Sequence, residues 1–385
     1  MGTNMADSHG RRQGLPSSWA DALLSTNPDL VTKVDDWWAS TSPDVNVGSR
    51  HHTVPKSYLQ RFARKEQLLV RDRATGKASI RNIGDLAIKN FYTFMNQDGQ
   101  PDGRLETILA DVDNEGSRLF TRLLSPFHVP RPLDQEERLT LAQFIAFQFV
   151  RGARRRREGE LLADYGIKLV NQGRLPKDAS DLRIIPHPNE HLRVISMSAP
   201  KLMEALLGRP VTLVNIDQPL FITCDEPVIA VFGDDYVRHR PQCFATPKQR
   251  RRNAKRPSRS RKRKHEIVHF YPTRPSGLAI AEEVALPVSP TALIVLGPHG
   301  ERAELRLGLS GADAVELAAD VNQRLVDQAF EWVAAHPDHP AFRDMTFPPP
   351  GPLIQVCDGM TPMGQALDQA PEPRRPERLN QHWRN

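Results

Sequence analysis

The chain has 385 residues, 39% of them hydrophobic, with 33 prolines and a formal net charge of +6. That length holds one large domain or two modest ones, and the low apolar share points to a folded core diluted by Pro-rich and charged segments that do not pack. No run of about 18 apolar residues exists, so neither a transmembrane helix nor a membrane partner is expected, and three scattered cysteines (Cys224, Cys243, Cys357) fit a reducing cytoplasm better than a disulfide framework or a thiolate zinc site.

The start of the chain lacks a basic stretch followed by an apolar one, so no secretory signal is expected. Residues 1–17 have the composition of a disordered N-terminus. Residues 18–49 read as a helical lead-in anchored by Trp19, Leu23, Leu24, Val31, Val34, Trp37 and Trp38, broken at Thr41-Ser42-Pro43-Asp44. A core domain is expected over residues 50–336, and a Pro-rich disordered tail over 337–385.

The core opens on His51-His52-Thr53-Val54-Pro55-Lys56-Ser57-Tyr58-Leu59-Gln60-Arg61-Phe62. Pro55 disfavours helix at Val54 and is tolerated as a first helical residue, so a turn or two of helix is expected over 56–62. Tyr58, Leu59 and Phe62 then share a face. The histidines precede a helix start, where backbone donors favour anions. Either a His serves as acid, base or metal ligand, or the stretch is a lead-in whose His packs or caps.

Gln67–Arg73 and Ala78–Asn82 read as strands around a turn at Gly76, and Phe91-Tyr92-Thr93-Phe94 as a further short strand. Leu105–Leu124 has helical periodicity. A second helix is expected from an Asp134 N-cap, with Glu137 completing a capping box, to about Tyr165. Its first half is apolar almost all round, and Gln148 and Arg151 continue a buried stripe from Phe144. A buried Arg needs a partner, either a carboxylate of this chain or an anionic ligand. The following Arg154–Arg157 reads as a solvated helix end.

Beyond it, a less ordered stretch punctuated by Pro176, Pro186 and Pro188 leads to a short helix over Ala199–Leu207. Val211–Ile216, Leu220–Thr223, Val228–Val231, Ile267–Tyr271, Leu278–Ile280 and Ala292–Leu296 are β-type runs without helical spacers. Ala312–His336 reads as a closing helix, and Pro348-Pro349-Pro350 as the end of packed structure. The expected fold is α+β: a largely antiparallel or mixed sheet with several packed helices, in a single large domain with disordered ends.

Phe221–Val228 runs an apolar strand into Asp225-Glu226 and stops at Pro227, a common placement for catalytic or metal-binding carboxylates and equally a common turn. His187/His191 and His336/His339 lack further ligands nearby for a zinc site. There is no phosphate loop, dinucleotide fingerprint, nucleophile elbow or Cys-x-x-Cys. The strongest physical feature is Lys248–Lys264, with eleven Lys or Arg and no acid, which leaves the rest of the chain at −5. Such a run cannot pack, and residues 246–265 are expected as a disordered basic insertion in the core. Arg250, Arg251, Arg252, Lys255, Arg256, Arg259, Arg261, Lys262, Arg263 and Lys264 are the candidate nucleic-acid contacts, through sequence-independent phosphate neutralisation. The alternative is a solvated loop with no defined partner.

The ordered set His52-x-x-Pro55-x-x-Tyr58-Leu59-x-x-Phe62, Phe91-Tyr92, Leu105-Glu106, Phe144-x-x-Phe147-Gln148-x-x-Arg151 and Thr223-x-Asp225-x-Pro227 resembles a large bacterial family of domains of unknown function. The resemblance spans roughly residues 50–335. It implies that His52, Glu106, Gln148, Arg151 and Asp225 form one constellation, with His51 a bystander. Asp113 stands where the family pattern has a Glu, and Cys224 where it usually has a Ser. Two functions follow as expectations. One is a cytoplasmic hydrolase acting on a nucleic acid or another phosphate-containing substrate, with His52, Glu106 and Asp225 as acid/base groups or ligands of a divalent metal and Arg151, oriented by Gln148, clamping the anion. The other is a non-catalytic nucleic-acid-binding protein whose polar set is a buried structural network. Cofactor and oligomeric state are left open by the sequence.

Overall fold

The computed structural model describes residues 51–89, 94–95, 100–127, 131–170, 186–233, 269–272, 277–298, 305–349, 353–357 and 365–366. The expected N-terminal disorder, the lead-in helices and the basic insertion lie outside them, as do Phe91, Tyr92 and Thr93.

In chain order the elements are β1 (His51–His52), α1 (Lys56–Leu59) continued by a 3-10 turn (Gln60–Phe62), β2 (Gln67–Asp72), β3 (Ala78–Asn82), β4 (Ile88–Lys89), β5 (Phe94–Met95) and β6 (Pro101–Asp102). Four helices follow: α2 (Arg104–Leu124), α3 (Gln135–Val150), α4 (Ala153–Val170) and α5 (Pro188–Leu207). The rest is β7 (Val211–Ile216), β8 (Thr223–Cys224), β9 (Ile229–Val231), β10 (His269–Pro272), β11 (Glu283–Ser289), β12 (Ala292–Leu296), β13 (Leu305–Leu309), α6 (Gly311–Gln328), β14 (Trp332–Ala335), β15 (Ile354–Cys357) and β16 (Gln365–Ala366).

Two sheets carry the domain. One runs β13-β7-β12-β11-β9, antiparallel except for the parallel pair β13–β7. The other is antiparallel and runs β3-β2-β14-β8. The inner strands β2, β11, β12 and β14 are apolar on both faces because both faces are covered, whereas the edge strand β3 is exposed along its length. Leu68 and Val70 of β2, Val284 and Leu286 of β11, Ile294 of β12, and Trp332 and Ala334 of β14 face a core shared with α1, α2, α3 and α5. The alternate residues Leu69, Ala285, Leu293, Val333 and Ala335 face a second core under α6, where Ala314, Ala318, Val321 and Leu325 meet them. The α+β expectation with a mixed, mostly antiparallel sheet holds. Among the described residues no helix is long and apolar enough to cross a membrane.

The hairpin turn stands as expected, with Gly76 at φ +69°. So does the capping box: Asp134 Oδ1 accepts the Glu137 N–H at 2.9 Å, and Glu137 Oε2 accepts the Asp134 N–H at 3.1 Å.

Other expectations need correction. The helix from Asp134 does not run to Tyr165: it ends at Val150, and α4 begins at Ala153. Gly152 lies in the break, where any side chain would run into the Glu226 carboxylate. The short helix at Ala199 is the second half of α5, which starts at Pro188 and runs through Pro200. Leu278–Ile280 is a 3-10 turn, with the strand displaced to Glu283–Ser289. The closing helix stops at Gln328, and Trp332–Ala335 is a central strand between β2 and β8. The tail is not free of packed structure: Phe342, Leu353 and Ile354 are buried, and β15 pairs antiparallel with β10.

Candidate functional site

Pro55 is the N-cap of α1, and Tyr58, Leu59 and Phe62 are all buried. Tyr58 lies 5.4 Å from the Phe62 ring and 6.2 Å from Phe144 of α3, centroid to centroid. Its hydroxyl donates to the Pro287 carbonyl at 2.7 Å and lies 3.1 Å from Thr223 Oγ1. Burial pushes this phenol well above its ordinary pKa, so it works as a neutral tether between α1 and the strands. The pattern-bearing residues of the opening stretch are therefore core.

The same stretch is tied to α3. Gln148 Nε2 donates to the Thr53 carbonyl at 3.0 Å, while Gln148 Oε1 accepts from Arg151 Nη2 at 2.6 Å and Nε at 3.2 Å. Arg151 also donates through Nη1 and Nη2 to the two carboxylate oxygens of Asp113, at 3.0 and 2.8 Å. Arg151 is buried, so of the two partners open to it in the sequence the structure selects a carboxylate of this chain. Burial raises the Asp113 pKa and the guanidinium pulls it back. Asp113 is thus the counterion of Arg151.

Seven residues earlier on α2, two turns away, Glu106 Oε2 lies 3.1 Å from Nε2 of His51. His51 is buried and Glu106 partly exposed. The imidazole that meets Glu106 therefore belongs to His51, not to His52, which is only half-buried. The residue set aside as a bystander joins the network instead. Ala87, at φ +61°, accepts both the Thr53 N–H and the Thr53 hydroxyl through its carbonyl, at 2.9 and 3.2 Å. A non-glycine residue held there marks a segment over-determined by its neighbours.

Asp225 stands just past β8, buried. Its carboxylate accepts the N–H groups of Phe330 at 3.0 Å and Glu331 at 2.5 Å, clamping the turn between α6 and β14. Burial and the Glu331 carboxylate push its pKa up to about 7, against those two donors. Glu226 turns the other way. Its carboxylate fills the space left by the missing Gly152 Cβ and accepts the Arg154 N–H at 3.1 Å, at the start of α4. Burial and Asp225 push it up to about 8, with Arg155 and Arg154 pulling down.

The structure thus brings Glu106, Gln148 and Arg151 together with His51, Thr53 and Asp113, and Glu226 packs beside Gly152, the residue after Arg151. Asp225 is bonded instead to the turn between α6 and β14. His51, Asp113, Glu226 and Arg209 were not foreseen in these roles. The seven-residue spacing of Glu106 and Asp113 on α2 is the signal that could have placed them as a pair on one face. Glu226 was named only as the neighbour of Asp225. Arg209, between α5 and β7, had no sequence signal. It is buried and donates to the carbonyls of Ala205, Leu278, Ala281, Glu282 and Gly297 at 2.7 to 3.3 Å.

Arg154–Arg157 is not a solvated helix end. The break places these residues in the first turn of α4, where the helix dipole disfavours cations. Glu158 and Glu160 compensate, paired with Arg154, Arg155, Arg156 and Arg157 at 2.7 to 3.5 Å. Among the described residues no group of three or more His, Cys, Asp or Glu is arranged to hold a metal. An open groove of about 580 Å³ lies elsewhere, along the outer face of α2 between Asn114 and Phe127. In sequence, Lys248–Lys264 falls between β9, the edge strand of the five-stranded sheet, and β10, outside the described residues.

A family model described as "Protein of unknown function (DUF4238)" matches residues 50–339. No curated protein and no solved structure matches the chain.

Proposed function

The chain belongs to this family of proteins of unknown function, and from that premise we propose that it is a non-catalytic nucleic-acid-binding protein. Lys248–Lys264 supplies the affinity, and the His/Glu/Gln/Arg/Asp set is the network that holds the domain together. The observation that carries the reading is how Arg151 is spent. Its guanidinium is buried and committed to Asp113 and Gln148.

To clamp a phosphate, Arg151 has to release a bidentate carboxylate and leave it uncompensated in the interior, at a cost of about 3–5 kcal/mol. Asp225 is in a similar position, because acting as base or metal ligand takes it from two backbone donors. The hydrolase reading asks both to do so. Eleven cations without an acid, in contrast, are suited by charge to a polyphosphate, whose counterions they would release.

The test incubates labelled single- and double-stranded DNA and RNA with the full chain and with a chain lacking residues 248–264. Each sample is read by anisotropy and, with Mg²⁺ or Mn²⁺ added, on a denaturing gel. The expected result is binding lost with the run and strands intact throughout. Metal-dependent cleavage by both chains, or undiminished binding after the deletion, overturns the reading.

A further inference from the structure

Asp225 and Glu226 are consecutive, buried, and fastened to different elements. Asp225 holds the Phe330 and Glu331 N–H groups at the entry to β14. Glu226 holds the Arg154 N–H at the entry to α4, with its carboxylate pressed against Gly152. Its own carbonyl accepts from Gln328 Nε2 at the end of α6, and Gln328 also reaches the Val228 carbonyl at 3.2 Å. One dipeptide past β8 therefore joins α4, α6 and β14.

We propose that Asp225-Glu226 is a proton-sensitive latch, closed while the pair holds a proton and loosened at the starts of α4 and β14 when both carboxyls ionise.

Two adjacent carboxylates in a dry interior repel each other, and each is costly to ionise there. The surrounding charges set the balance. Glu331 adds a third negative group on the β14 side. Arg73, at the end of β2, faces Asp225 and is shared with Asp327 of α6. Arg154 and Arg155 of α4 face Glu226 but are each paired with Glu158, so the cations on that side are already partly neutralised. The buried Cys224 thiol is pushed well above its ordinary pKa by burial and by Asp225, and adds no charge. With one proton the pair is a single anion held by three backbone donors. With none it is a double anion whose relief is to reach water by loosening one attachment. The latch stands apart from the binding reading and holds or fails without it.

The test is amide hydrogen exchange of the full chain between pH 6 and 9, corrected for the intrinsic rate. Protection at Arg154, Phe330 and Glu331 is expected to fall by about tenfold or more, while that of Ile145 in α3 changes less. The Glu226→Gln variant keeps the acceptor and removes the ionisation, so its profile is expected to be flat. Protection that is constant with pH, or that falls equally at Ile145, overturns the proposal. So does a Glu226→Gln profile identical to the original. The first two outcomes are read on the unaltered chain, so the proposal stays testable if the variant fails to fold.

Discussion

Arg151 and Asp113 face each other through two hydrogen bonds, at 3.0 and 2.8 Å, and Gln148 passes the connection on to the Thr53 carbonyl. The pair sits at the end of α3, where a longer helix was expected, and it fixes how α2, α3 and the opening stretch meet. Removing one partner leaves the other charge buried. Arg151→Ala is therefore expected to cost about 3–5 kcal/mol in urea unfolding, with the double variant Asp113→Ala/Arg151→Ala costing clearly less than the sum of the singles. An Arg151→Ala chain of unchanged stability would show that the guanidinium is held for another purpose.

The two histidines are expected to separate in a double-mutant cycle. His51→Ala and Glu106→Ala should be coupled by about 1 kcal/mol, because they remove the same hydrogen bond. His52→Ala with Glu106→Ala should be additive. Coupling to His52 instead of His51 contradicts the assignment.

Arg209 satisfies five carbonyls from the 278–282 turn, the loop at Gly297 and the end of α5, and burial lowers its pKa. Lys carries a point charge on a different reach and cannot reproduce that fan. Arg209→Lys is expected to lose about 2–4 kcal/mol, read as a drop in the urea midpoint with an unchanged slope. A wild-type midpoint would mean that the carbonyls find other donors.

The pH dependence of stability has a definite sign. Asp225 is raised from 3.8 to about 7 and Glu226 from 4.5 to about 8. Across the intervening range the folded chain holds protons that the unfolded chain has released. Their contribution is complete below about pH 4 and is lost as pH rises through 7 to 8, a swing on the order of a few kcal/mol. The urea midpoint is expected to fall from pH 5 to pH 9, and Asp225→Asn to flatten the fall. A midpoint that rises over that range contradicts the placement of both carboxyls.

Much of the fold was legible because both cores follow simple periods. The α2 stripe, the Asp134 capping box and the β2–β3 hairpin are local patterns with local causes. The α3–α4 break was not legible, since it depends on Glu226, more than seventy residues away, filling the space beside Gly152. Trp332–Ala335 reads helical in isolation and becomes a strand because β2 and β8 flank it. At the site, the sequence placed Gln148 and Arg151 on a buried stripe correctly. It attached the wrong histidine, because strand register decides which of His51 and His52 faces inward, and a two-residue strand has no period to read.

Affinity for nucleic acid is expected to reside in Lys248–Lys264 and not in the buried network. The most direct measurement is the salt dependence of binding to a DNA duplex by anisotropy, for the full chain and for one with the eleven cations of that run changed to Ser. If half or more of them meet phosphates, log K should fall against log salt with a slope of about −5 to −10, and the Ser-substituted chain should show little binding and a slope near zero. Equal slopes and affinities in the two chains would place the contact elsewhere and contradict the account.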